Sequence, residues 1–420
     1  MPPDPNDCDS PLHDQRLIPL ETARERMLAA CPTPTTVERL PLDRCLGRVL
    51  ATALVATLDL PPFANSAMDG YAVRSEDCAG DAAVALRLIG RSAAGAPFAG
   101  RLEPGTCLRI LTGAALPDGA DAVVIQEAAS LRPDGRVSLP GGIRAGANVR
   151  WPGEDLRRGD PAVEPGRRLM PAQIAAAAAL GRESLEVWRR PRVAFFSTGD
   201  ELSPLGSRLE PGQIFDSNRP MVRALLERIG VEPIDLGVVE DSRAAIRAAL
   251  SLAAGSGDAV LTTGGVSVGD ADYVREEVAG LGELNLWRIA MKPGKPLAFG
   301  RIETARFFGL PGNPVSALVT FYQLVAPALR RMGGAEAVAP LQLSARLTEP
   351  IAKKPGRVEF QRGRLRPTPD GELEVAAAGG QGSHVMSSLS AADCFIVLPA
   401  ESGDHPAGTR VTVQPFSGLV

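Results

Sequence analysis

The sequence predicts an α/β multidomain fold, and three observations predict it. Between Arg192 and Gly333, apolar runs alternate with helical patterns across short loops marked by glycine and proline. That alternation is the signature of a mostly parallel sheet covered on both faces. On either side the texture changes to short extended runs broken by turns, from Val84 to Val149 and again after residue 336. Finally, 420 residues exceed what one compact core holds, so about two to four domains are expected.

The elements follow in order. Residues 1 to about 15 are polar and proline-rich, with the composition of a disordered segment. From Pro19, LETARERMLAA has apolar residues at helical spacing. NSAMDGYAV, from Asn65, is a polar turn leading into an extended run. Short runs broken by glycine then make a small β-rich unit, in which Thr112 and Gly113 follow the strand LRIL. PAQIAAAAALG reads as a helix, framed by a proline start and a glycine stop. The segments before residue 61 and after residue 147 are expected to pack together, making the β-rich unit an insertion. RVAFFST, EPIDLGVV, DAVLTT and RFFGL are the strands of the α/β unit. DSNRPMVRALLERIG and SRAAIRAALSLAAG are helices, capped by Ser217 or Asn218 and by Asp241 or Ser242. After residue 336, five alternating or apolar runs suggest a small C-terminal β-barrel or sandwich.

Composition narrows the function. A formal net charge of -4 argues against general nucleic-acid affinity, so any anion site must be a local basic cluster. The six cysteines are scattered with no metal-ligand spacing, and there are 3 histidines, so a zinc centre is not expected. A reduced, cytoplasmic protein with no signal peptide and no membrane span fits best.

Ligands of parallel sheets bind outside the carboxyl ends of the strands. The loops GDEL (from Gly199), TTGGVSVGDAD (from Thr262), MKPGKP (from Met291) and GLPGNPVS (from Gly309) all follow strands and should open on one edge. Gly264 and Gly265 let the backbone turn tightly and expose amides to an anion. Asp270 and Asp272 put carboxylates beside them, suited to a magnesium ion carried on phosphate. Lys292 and Lys295 flank a proline-bounded turn that fixes two cations for an oxyanion. Asn313 and Ser316 stand where they can cap a helix whose free amides also favour an anion. Asp69, Arg362 and Ser383 are weaker candidates, each equally readable as a turn or a solvated strand residue. No Ser–His–Asp or Cys–His pairing stands out, so metal-assisted phosphoryl or nucleotidyl chemistry is the natural class.

SAMDGYAV, ILTGAALP, FSTGDEL, TTGGVSVGDADY, MKPGKP, GLPGNPVSAL, EFQRGRL and GGQGSH occur in this order. Together they resemble the molybdopterin molybdenumtransferases, the MoeA family, related to the E domain of gephyrin, over residues 16 to 420. The resemblance implies an L-shaped homodimer of four-domain subunits. These are an elongated N-terminal domain (16–60 and 148–190), an inserted β-rich domain (61–147), a molybdopterin-binding α/β domain (191–333) and a C-terminal β-barrel (336–420). It implies a transferase of molybdenum cofactor biosynthesis that inserts molybdate into adenylylated molybdopterin, with magnesium, and releases AMP. Asp69 and Thr112 would reach the site of the other subunit. Lys292, Lys295, Pro296, Arg362 and Ser383 would contact molybdate. Ser267, Asp258 and Asp272 match positions tied to nucleotide or metal, and Asp200 and Glu201 lie in the matching acidic loop; Asp258, Asp272 and Glu201 are the implied metal ligands. A molybdopterin adenylyltransferase and other cofactor-biosynthesis proteins are the implied partners, with no nucleic acid and no membrane. The chain departs from the family at Trp151 and Pro152, where relatives carry arginines, although Asp155 is retained. A gephyrin-like scaffold and the preceding adenylyltransferase are the alternatives. The lysine pair with its acidic loops speaks against the first, and the extra domains on both sides against the second.

Overall fold

The computed structural model describes residues 17–264 and 272–418. Its centre is a six-stranded sheet in the order Glu232–Val239, Arg192–Thr198, Ala259–Thr263, Ala305–Leu310, Pro296–Ile302, Gly282–Arg288. The first four run parallel, and the last two alternate in direction. The strand Pro296–Ile302 is an addition to the sequence reading.

Period-two alternation places the side chains. Val193 and Phe195 join one core cluster, while Ala194 and Phe196 join the cluster on the opposite face. Both faces are therefore dry, which is why these strands read as unbroken apolar runs. Helices Arg243–Ser256 and Tyr273–Leu281 cover one face. Helix Asn218–Arg228 and the helical stretch from Pro314 to Met332 cover the other. That stretch contains a π-helical turn at Phe321–Val325. Ser242 caps helix Arg243–Ser256 by accepting from the Ala245 amide. Ser217 occupies the N-cap position of Asn218–Arg228 but makes no side-chain cap bond; Asp216 Oδ1 accepts from the Asn218 and Arg219 amides instead.

The segments flanking the β-rich unit do pair. Val37–Pro41 lies antiparallel to Ser184–Trp188, Leu54–Val55 to Pro161–Val163, and Asn65–Ser66 to Val149–Arg150. Their own core includes Cys45, Leu50, Leu169 and Val187. Helix Leu20–Ala30 departs from the expected grouping with this unit. Its stripe of Leu20, Ala23 and Met27 is buried in the central core against the Pro314–Met332 stretch. An apolar stripe fixes that a helix packs, not which surface it packs on.

Between the paired segments, six strands form the β-rich sheet in the order Ala122–Ile125, Gly70–Val73, Thr106–Ile110, Val84–Ser92, Arg136–Leu139, Ser130–Leu131. At the other end of the chain, Leu343–Leu347, Val358–Pro367, Leu373–Ala377, Cys394–Leu398 and Arg410–Pro415 close into a barrel. Met291–Lys292 adds to the edge of Val358–Pro367 and joins the barrel to the central sheet. Among the described residues, five cysteines are buried and unpaired, and no helix is long and apolar enough to cross a membrane.

Candidate active site

The expected convergence of loops is present. Arg192–Thr198, Ala259–Thr263 and Ala305–Leu310 are parallel, so the residues after Thr198, Thr263 and Leu310 share one edge. Gly282–Arg288 ends and Pro296–Ile302 begins at that same edge, which brings the lysine loop there too. Gly264 takes φ +87°, and a Cβ at this position would lie 2.9 Å from the Thr198 carbonyl oxygen. Glycine is the residue that this turn tolerates. The following segment, with Gly265, Ser267 and Asp270, lies outside the described residues.

Two cavities open at this edge. The larger, about 690 Å³, is lined by Glu201, Thr263, Gly264, Pro296 and Asn313 from the sheet loops and by His384 and Met386 from the barrel. The smaller, about 480 Å³, is lined by Lys292 and Pro293 and by Arg362, Gln381 and Gly382 of the barrel. They share two walls. Residues 292–296 and residues 381–386 each face the small cavity at one end and the large one at the other. The barrel loop is tied to the helix that starts at Pro314, since the Val315 amide donates to the Ser383 carbonyl at 3.2 Å.

The small cavity is lined by two cations, Lys292 and Arg362, and one carboxylate, Glu359. Lys292 sits 3.6 Å from Glu359, a carboxylate that is itself buried. Arg362 is 1% exposed. Its Nε donates to Ser388 Oγ, and its Nη2 donates to the carbonyls of Gly380 and Gly382. These partners are neutral, and burial alone pulls its pKa down to about 10. Much of its fork therefore holds the 380–383 loop in place, a more structural job than direct oxyanion contact. Gln381 extends the network by accepting from the Arg362 amide and donating to its carbonyl.

The other sequence candidates divide. Glu201 lines the large cavity and Asp200 beside it does not, although both are exposed. Asn313 is at the N-cap position but makes no side-chain cap bond, and Ser316 is buried in the first turn. Lys295 is half-buried, and its carbonyl accepts from the Ile289 amide. Asp272 is buried and caps helix Tyr273–Leu281 by accepting from the Arg275 amide at 3.1 Å.

Asp258 is a correction. It precedes strand Ala259–Thr263, and five residues at about 3.3 Å each carry it some 16 Å from the Gly264 turn. There it forms a two-pronged pair with Arg189 and accepts from the Arg192 amide. It cannot join Glu201 and Asp272 around one metal. Among the described residues, no three His, Cys, Asp or Glu side chains form a metal-holding group.

Asp69 and Thr112 do meet, in the β-rich unit. Asp69 Oδ1 accepts from the Thr112 amide at 2.7 Å and its hydroxyl at 2.8 Å. These bonds, backbone first, hold its carboxyl below the usual range. Neither residue lines either cavity.

Residues of the large cavity that sequence reasoning missed include Phe215, Asn218 and His384. Asn218 Nδ2 donates to the Gly312 carbonyl at 2.6 Å, while its buried Oδ1 has no partner among the described residues. The only signal, a polar DSN before a helix, looks the same as an ordinary cap.

Three family models match the chain. They are the MoeA N-terminal region (domain I and II) over residues 18–181, a probable molybdopterin binding domain over 194–331, and the MoeA C-terminal region (domain IV) over 344–416. A molybdopterin molybdenumtransferase of Haemophilus influenzae is 42% identical, covering 96% of this chain and 100% of the relative. One from Nostoc sp. is 39% identical, covering 87% and 86%. The crystal structure of the molybdopterin biosynthesis MoeA protein of Pyrococcus horikoshii OT3 superposes with a TM-score of 0.83 at 29% identity, covering 96% of this chain and 100% of that one.

Proposed function

The chain belongs to the MoeA family of molybdopterin molybdenumtransferases, and from that premise we propose how its residues divide the work of molybdenum cofactor biosynthesis. The reaction inserts molybdate into the dithiolene of adenylylated molybdopterin and releases AMP and the finished cofactor. One observation carries the reading: two cavities of unequal size lie side by side and share walls made by the lysine loop and the barrel loop.

The large cavity has room for the nucleotide-linked pterin. Its phosphates meet the Gly264 turn and the amino end of the helix that starts at Pro314. The small cavity takes the tetrahedral molybdate dianion. Lys292 and Lys295 attract it, while Arg362 keeps the 380–383 loop, with Ser383, in the shape that receives it. Holding the two substrates adjacent lowers the entropy cost of bringing them together.

A divalent cation fits these residues only as an ion shared with the substrate. Magnesium keeps several waters and takes one or two carboxylates plus substrate phosphates. Glu201, with Asp272, would hold it, and it would neutralise charge on the phosphate linkage. The chain is read as four domains with the boundaries expected from sequence, helix Leu20–Ala30 packing onto the third. A homodimer would bring Asp69 and Thr112 of each subunit to the cavities of the other. A molybdopterin adenylyltransferase that hands over its product is the proposed partner, and the cytoplasm the proposed setting.

Incubation with adenylylated molybdopterin, molybdate and magnesium tests this reading. AMP and active cofactor should appear together and depend on molybdate. AMP release without cofactor, or neither product, would overturn it.

A further inference from the structure

The amino edge of the central sheet, opposite the candidate active site, carries a second basic cluster. Arg48, Arg168, Arg189, Arg190 and Arg330 line a cavity of about 60 Å³. The cavity lies on a seam. The first four arginines come from the elongated region and its link to the sheet, while Arg330, Gly230 and Val231 belong to the central unit. A space of this size holds about four waters or one small tetrahedral oxyanion.

Like charges this close repel unless something neutralises them. Arg189 pairs with Asp258, and Arg48 with Glu38. Among the described residues, Arg168 and Arg190 form no ion pair; Arg168 makes one side-chain hydrogen bond, from Nη2 to the Arg228 carbonyl. The Nε atoms of Arg48 and Arg168 are buried and lack hydrogen-bond partners among the described residues. Arg48 itself is 9% exposed. The repulsion has a signature in the pKa values. Burial first, then Arg48 and Arg168, pull Arg190 down against the opposing pull of Glu232 and Glu38. Burial first, then Arg168, pull down Arg330.

Guanidinium groups that line a cavity without a carboxylate partner are complementary to a doubly charged oxyanion, which they grip through paired hydrogen bonds. We propose that this seam is a second anion site, separate from the catalytic cleft, which takes one small tetrahedral dianion of the phosphate class between Arg168 and Arg190. The bound anion ties the elongated region to the central unit and fixes their relative orientation. The proposal is independent of the roles assigned to the catalytic loops.

Thermal melting of the full chain in inorganic phosphate, against chloride at equal ionic strength, tests it. A ligand well above its Kd raises Tm by about 2 °C. The rise should persist in the Lys292→Ala/Lys295→Ala variant, which disables the other oxyanion site, and vanish in Arg168→Gln/Arg190→Gln. Loss in the lysine variant with retention in the arginine variant would overturn the proposal, as would no rise in wild type. Should the double arginine variant fail to fold, the exposed Arg190→Gln alone replaces it, with a reduced rise expected. Wild-type crystals soaked in selenate give a direct reading: an anomalous peak between Arg168 and Arg190 supports the site, and an empty seam overturns it.

Discussion

At the residue scale, charge at the small cavity and charge at the far end of the sheet have separable consequences. Lys292→Ala removes a cation that lines the oxyanion cavity. A charge-assisted hydrogen bond contributes about 1.5–3 kcal/mol, so half-saturation should need roughly 10- to 100-fold more molybdate. A molybdate titration of cofactor formation checks this, and an unchanged midpoint refutes it. Asp258→Ala should behave in the opposite way. It breaks the Arg189 pair and deprives the Arg192 amide of its acceptor, which should cost about 1–2 kcal/mol of stability. Turnover per folded molecule should stay as in wild type; a selective loss of turnover would restore Asp258 to the chemistry. Asp69 supplies a pH test. Its carboxyl is held low by the Thr112 amide and hydroxyl. The contribution is present above the unfolded carboxylate pKa of about 3.9 and fades as pH falls through the lower folded value. Thr112→Val removes the hydroxyl bond and keeps the amide, so the Asp69 pKa followed by NMR should rise part of the way toward its ordinary value.

At the element scale, the loops owe their positions to glycine geometry and strand direction. Gly294 takes φ +106°, and a Cβ there would sit 2.5 Å from Met291 Cε and 2.7 Å from Thr320 Oγ1. Gly294→Ala should therefore displace the lysine loop as a unit. Molybdate dependence should weaken about as much as in Lys292→Ala, with both lysines still present, while circular dichroism retains the native spectrum. Normal molybdate affinity would show that the loop tolerates the shift. This scale was also the most legible in the sequence. Alternating strands and helices force parallel strands, and parallel strands deliver their following loops to one edge. Asp258, implied as a metal ligand by the resemblance alone, lies before strand Ala259–Thr263, so the length of that strand separates it from the Gly264 turn. The docking of helix Leu20–Ala30 on the central core, and the gathering of Arg48, Arg168 and Arg190 at one seam, depend on contacts between distant segments. Local periodicity carries no information about those.

At the scale of the whole molecule, the question is whether one chain holds a complete site. Asp69 and Thr112 form a preorganised pair in the β-rich unit, and neither lines the cavities at the sheet edge of their own chain. Exposed Phe63 and Met68 flank strand Asn65–Ser66, and exposed Trp151 follows Val149–Arg150, the strand paired with it, so apolar side chains are available there for a partner surface. The proposed twofold dimer would use the same surface on both subunits, and each subunit would then lend its pair to the other. Complementation decides the matter. Asp69→Ala and Lys292→Ala chains are mixed in equal amounts, unfolded together and refolded. Half of the dimers are then mixed, and in each of these one site carries both lesions while the other carries neither. At a limiting molybdate concentration, where each variant alone is nearly inactive, activity should return to about a quarter of wild type. A mixture no more active than its components would mean that each site is built within one chain, and Asp69 would then have no part in it.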